Sequence, residues 1–233
     1  MTPPRADGRR WWMPPWGGRE RLAGPYRRVA IQLHYDLLEA GAGRSVLLVD
    51  VDDPTVSARS SVLLARCCAE ELGRSVLLID ACPGAPVASR QAGCQGRGGF
   101  TDLLQDPSRT LADLVLATDV PGVSLLGAGA GASRGAPPER LGGIVRAAEE
   151  AFGLVVLCGG AVLRDECSAL ALAPHAGCVL LSVVEGATRI RDMEAAQEAL
   201  ALCRPPRVGL LLTARPRARD AALRASPNGA GRG

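Results

Sequence analysis

The chain predicts an α/β fold: a doubly wound, mostly parallel sheet with helices on both faces, in three layers. Three observations carry this. Short runs rich in Val and Leu recur along the chain. Segments of helical periodicity separate them. The runs are continuous rather than alternating, as strands buried on both faces require. The clearest unit lies at 44–80. Ser45–Val51 reads as a strand, followed by a polar loop containing Pro54. Ser60–Leu72 reads as a helix with Leu63, Leu64, Cys67, Cys68 and Leu72 on roughly one face, and Gly73 suits its C-terminus. Val76–Ile79 is the second strand. One helix joining two such runs makes the strands parallel.

The remaining elements follow in order. Residues 1–24 are rich in Pro, Gly and Arg and read as a disordered arm. Trp11, Trp12 and Trp16 in it suit either a membrane interface or partner groove, or a fold back onto the domain. Pro25–Ala40 reads as a helix, with Tyr26, Val29, Leu33 and Leu37 at helical spacing and Gly41 as its stop. Pro83–Gly99 is a loop. Phe100–Leu104 and Leu111–Ala117 are short helices, and Val123–Leu126 is a strand. The glycines from Gly127 to Gly131 invite a dinucleotide-binding reading. Such glycines open a helix in the first βα unit, however, and these lie far along the chain, so they read as a structural loop. Pro138–Phe152 is a helix, Leu154–Leu157 a strand, Cys167–Leu172 a helix and Val179–Val184 a strand. In the helix Ile190–Leu202, positions Ile190, Met193, Ala196, Ala199 and Leu200, with Cys203 just beyond, face inward. Val208–Leu212 is the last strand. One domain therefore spans 25–213, and 214–233 is a basic tail.

All 27 basic residues are arginine, set against 24 acidic ones. Residues 1–28 hold seven Arg and two acids, and 204–233 hold seven Arg and one acid. The middle of the chain is therefore acidic and both ends are basic. Basic ends suit an anionic partner, a membrane surface or nucleic acid; solubilising tails are the plainer reading. No apolar run approaches the length that spans a bilayer, and the N-terminus lacks a signal-peptide core, so a cytoplasmic location is expected. The eight cysteines form no C-x-x-C pair and read as small buried hydrophobes.

A strand-loop-helix at 45–72 is where a phosphate-binding loop would sit. That loop needs G-x-x-x-x-G-K-S/T, so that backbone N–H groups cradle phosphate and a Lys reaches the β/γ-phosphates. Here the stretch runs Asp52-Asp53-Pro54-Thr55-Val56-Ser57-Ala58-Arg59-Ser60-Ser61, with no glycine and no lysine. From Pro25 to Leu212 the order of segments resembles the bacterial tyrosine autokinases of capsule and exopolysaccharide synthesis, within the septum-site and plasmid-partition class of P-loop ATPases. The segments are Tyr26-Arg27-Arg28-Val29, the strand at 45–51, Ile79-Asp80-Ala81-Cys82, Gly99-Phe100-Thr101-Asp102-Leu103-Leu104, the stretch from Val155 to Leu163 and Ala169-Leu170-Ala171-Leu172-Ala173-Pro174. Aligned without gaps, Ala58 stands at the family's Lys, and Arg59 and Ser60 at its Ser/Thr pair. A one-residue slip puts Arg59 at the Lys. Asp80 matches the first acid of the second strand, whereas Cys82 and Cys158 replace acids. The tyrosine-rich tail is missing.

The resemblance implies a P-loop NTPase-like domain whose nucleotide site is degenerate. At about 5 Å and an effective dielectric near 20, a phosphate meeting Asp52 or Asp53 costs roughly 3 kcal/mol per charge pair. Tight Mg-ATP binding and phosphoryl transfer are therefore expected to be lost. If nucleotide does bind, Ser57, Arg59, Ser60 and Asp80 are the residues to hold it. Asp50, Asp52, Asp53, Asp80, Cys82 and Cys158 end the strands and offer a rebuilt metal site or a Cys82–Cys158 redox pair as an alternative. The leading expectation is a pseudo-enzyme, a regulatory or scaffold subunit of polysaccharide polymerisation or export. Its partner would be a membrane-anchored co-polymerase or export protein at the inner membrane. The alternatives are an active ATPase or tyrosine kinase using Arg59, and a partition-type DNA-binding protein.

Overall fold

The computed structural model describes residues 19–41, 43–131, 137–164 and 168–214. The arm with its tryptophans and the tail from 215 on lie outside the described residues, as does Cys167. Seven strands form one sheet. In chain order they are β1 (Ser45–Asp50), β2 (Val76–Asp80), β3 (Leu116–Ala117), β4 (Val123–Leu126), β5 (Leu154–Ala161), β6 (Cys178–Val184) and β7 (Val208–Thr213). Their spatial order is β3-β4-β2-β5-β1-β6-β7. All neighbours are parallel except β3 and β4. The unit at 44–80 is two parallel strands joined by a helix, as expected, but β5 lies between them.

Every residue of β1, β2 and β5 is buried. Alternation across the pleat then builds two cores. On one face Leu47, Val49, Leu77, Ile79, Val155 and Leu157 pack with residues of α6 (Pro138–Ala151), α7 (Ser168–Leu172) and α8 (Ile190–Leu202). On the other, Val46, Leu48, Val76, Leu78, Leu154 and Val156 pack under α1 (Arg19–Leu33) and α2 (Pro54–Leu72).

Several boundaries differ from the sequence reading. α1 begins at Arg19, so Pro25 lies inside it, and it runs into a π-helical turn at His34–Glu39. α2 begins at Pro54 rather than Ser60, because Asp53 caps it and Pro54 takes the first helical position, where no N–H is needed. Gly73 ends it in the left-handed conformation, as expected. The 83–99 loop contains the short helix α3 (Val87–Gln91). Leu111–Ala117 is not one helix. Its first turn is α5 (Leu111–Leu114), and extended Val115 then leads into β3, which pairs antiparallel with the edge of β4. Ile190 does not face inward; it is 72% exposed, and α8 buries only Ala196 and Leu200.

The glycine loop after β4 is structural. Gly127 and Ala128 carbonyls accept the first N–H groups of α4 (Phe100–Gln105) from Phe100 and Thr101, at 2.7 and 3.0 Å. A Cβ on Gly99 would sit 2.1 Å from the Gly127 carbonyl oxygen, so only backbone fits at this crossing.

Candidate functional site

Ligands of such sheets bind beyond the carboxyl ends of the strands. Here those ends carry Asp50 on β1, Asp80 on β2, Cys158 and Gly160 on β5, and Ser182 on β6. Only Val51, Asp52 and Asp53 separate β1 from α2. That connection is too short to wrap around a phosphate, and the N–H groups of Asp52 and Asp53 are already committed. One Asp50 carboxylate oxygen accepts from the backbone N–H of Asp52 and of Asp53, each at 3.1 Å. One Asp53 oxygen accepts from the N–H and the hydroxyl of Thr55, at 2.9 and 2.7 Å. Two side-chain carboxylates thus hold the donors at the mouth of α2 that a bound anion would use.

The segment after β5 closes the same place from the side. Val162 and Leu163 donate to the Asp50 and Val51 carbonyls at 2.8 and 2.9 Å. The Arg164 guanidinium donates to the Asp52 carbonyl at 2.8 Å. This zipper needs the register shift between β1 and β5, where Gly160 takes a φ of +80°. Asp50 is 1% exposed, and burial pushes its carboxyl up to about 6. Its second oxygen has no hydrogen-bond partner among the described residues. Neither has the hydroxyl of Ser182, the register partner of Asp50 on β6.

Asp80 is built differently. It is fully buried, and one oxygen accepts from both the N–H and the hydroxyl of Ser89 at 2.7 Å. The other accepts from the Cys82 N–H at 3.4 Å. The Ser89 hydroxyl in turn accepts from the Ala128 N–H at 2.8 Å. Burial raises the Asp80 carboxyl while these bonds pull it back down. Asp80 thereby joins β2, α3 and the loop after β4.

The other residues expected at a nucleotide site do not converge. Ser57 is buried, and its hydroxyl lies between the Pro54 and Gly160 carbonyls at 3.1 and 3.2 Å. Ser60 is turned toward α1, where its oxygen is 2.8 Å from the Tyr26 hydroxyl. Arg59 is on that side too, close enough for its charge to oppose the burial that raises the Tyr26 hydroxyl. Ala58, at the family's Lys position, packs on Cys158 and Val87. Cys158 and Asp80 are register partners on the neighbouring strands β5 and β2. Cys82 and Cys158 are not joined by a disulfide. Burial pushes the Cys158 thiol up to about 12, so it rests as the protonated thiol at neutral pH. No group of three or more His, Cys, Asp or Glu among the described residues is placed to hold a metal. A cavity of about 1010 Å³ lies elsewhere, between Leu111 of α5, Val115 just after it and Gly143, Ile144 and Ala147 of α6; none of the candidate residues lines it.

Ser89, Arg164 and Ser182 were missed in the sequence, since nothing local marks them. The cap role of Asp53 was missed too, with the helix read from Ser60, although Asp followed by Pro is a helix-start signal.

No protein-family model and no curated protein matches the sequence. Solved structures do share its fold. The kinase domain of Escherichia coli tyrosine kinase ETK is 16% identical with a TM-score of 0.71, over 89% of this chain and 78% of that one. The VpsO kinase domain is 22% identical with a TM-score of 0.70, over 85% of this chain and 97% of that one. The MinD cell division protein of Aquifex aeolicus is 14% identical with a TM-score of 0.58, over 78% and 74%. The architecture is that of the bacterial tyrosine kinase domains and MinD-type ATPases, matching the resemblance read from the sequence.

Proposed function

We propose that this chain is a nucleotide-silent relative of the exopolysaccharide-synthesis tyrosine autokinases. In this reading it serves as a regulatory or scaffold subunit of polysaccharide polymerisation or export. One observation carries the silence: Asp50 and Asp53 accept the N–H groups of Asp52, Asp53 and Thr55, at the mouth of α2, that a phosphate would need. A triphosphate would have to displace two carboxylates and then bear their charge. The chain has no lysine to offset this, and Arg59 lies on the Tyr26 side of α2. The partner this reading calls for is a membrane-anchored co-polymerase or export protein. Its place is the inner face of the membrane, where arginine-rich ends meet anionic lipid. No helix among the described residues is long and apolar enough to cross a bilayer itself.

Calorimetric titration with Mg-ATP tests the silence. The expected result is no saturable heat up to about 1 mM nucleotide, the weak end of specific affinity. Micromolar binding that Arg59→Ala abolishes would overturn the proposal in favour of an active kinase or ATPase.

A further inference from the structure

The cavity of about 1010 Å³ beside α6 has no part in the candidate site, and its lining limits what can fill it. Its floor is the α6-side face of the β3–β4 edge, where Ala117 and Ser124 lie opposite each other. One wall is α6, which presents Gly143, Ala147 and Ala151, small residues about one turn apart. The other is α5, whose single turn is too short to cover the floor. Arg109, Thr110 and Arg140 stand at one end, and Pro121 and Phe152 at the other. The lining thus follows α6 from its first turn to its last, about 20 Å at 1.5 Å per residue. Spread over that length, the volume has a section of about 50 Å², roughly half that of a helix about 11 Å across. A partner helix is too thick. An extended peptide would bury backbone N–H and C=O groups against walls with little to offer them.

Charge narrows the choice further. Arg140 donates to the Leu103 carbonyl at 2.9 and 2.7 Å and to the Asp106 carbonyl at 2.8 Å. Arg109 pairs with the Asp106 carboxylate at 3.6 Å. Both arginines are thus engaged within the protein, and Glu139, exposed at the same mouth, would repel an anion. A cation would meet both guanidinium groups. The hydroxyls of Thr110 and Thr118 donate to Asp113 and to the Val123 carbonyl, and that of Ser75 accepts from the Gly153 N–H. The Ser124 hydroxyl, on the floor, has no partner among the described residues. We propose that this cavity binds a neutral, elongated, largely apolar small molecule, one of whose oxygens hydrogen-bonds the Ser124 hydroxyl. An apolar lining with a few placed polar groups is the usual make-up of such a site. Apolar burial supplies the affinity, and Ser124 sets the orientation.

Fluorescence titration of the full chain with Nile red, a neutral dye bearing a carbonyl oxygen, tests this. The expected result is saturable binding of one dye per chain at micromolar affinity. A Cβ on Gly143 would meet nothing within 4 Å, so Gly143→Leu enters open space and should melt no lower than the parent. By filling the cavity it should weaken dye binding at least about tenfold. Ser124→Ala should weaken it about threefold to tenfold, the loss of one hydrogen bond. The anionic dye anilinonaphthalene sulfonate should bind at least about tenfold more weakly than Nile red, since Glu139 opposes it. No saturable Nile red binding, an affinity that Gly143→Leu or Ser124→Ala leaves unchanged, or an anionic dye that binds as tightly would each overturn the proposal. If Gly143→Leu fails to fold, Ala147→Leu, at an exposed position of the same wall, takes its place. Undiminished binding by that variant rejects the site.

Discussion

Asp50 and Asp80 end two parallel strands of one sheet, on the same face, and both are buried. They differ in what holds them. Asp80 has both oxygens engaged, by a helix and by its own loop, and through Ser89 it reaches the loop after β4. Asp50 spends one oxygen on the two N–H groups just downstream and leaves the other without a partner among the described residues. The lesson is that burial alone does not assign a carboxylate's role. Asp80 is a joint of the fold, and Asp50 is an internal anion occupying a helix mouth.

The comparison predicts unequal costs. Asp80→Ala strands the buried Ser89 donors and should lower stability by about 3 kcal/mol in urea denaturation. Asp50→Ala should cost less than about 1 kcal/mol, because the Asp52 and Asp53 amides it releases belong to exposed residues that water can reach. Equal losses at the two sites would erase the distinction.

The second prediction concerns pH. The folded Asp50 carboxyl titrates at about 6, above its ordinary value of 3.8. Folding thus favours its protonated form. That contribution is complete below the unfolded value and disappears as pH rises through 6. Lowering pH from 7.5 to 5 should therefore add about 1.4 kcal/mol to stability through this group. Asp50→Asn should lack that increment, measured as the difference between the two proteins' denaturation midpoints across the window. Parallel profiles would show that Asp50 is not held as its surroundings imply.

At the cap the expected effect is local. Asp53→Ala should cost about 1 kcal/mol, with Asp53→Ser recovering most of it. A loss confined to amide protection in the first turn of α2 would place the effect where the geometry puts it.

Much of this was legible in the sequence. Ser45–Val51, Val76–Ile79 and Val123–Leu126 stood out because strands buried on both faces must be continuously apolar. Gly73 ended α2 as a left-handed glycine should. The elements misread share a cause. Leu111–Ala117 has helical spacing, yet its last two residues complete the edge of β4, a partner that lies later in the chain. Ile190 matches the inward periodicity of α8, but a helix end at the margin of the sheet has nothing left to face.

By itself the sequence determined the alternation of strands and helices, the two-sided burial of the sheet and the loss of a glycine-lysine phosphate loop. Each follows from side-chain character within a few neighbouring residues. Only the tertiary structure decided that β5 separates β1 from β2, that Asp80 is tied to Ser89, and that Asp50 fills the mouth of α2. Periodicity records which side of an element is buried, whereas hydrogen-bond partners are chosen among groups that meet only once the chain has folded.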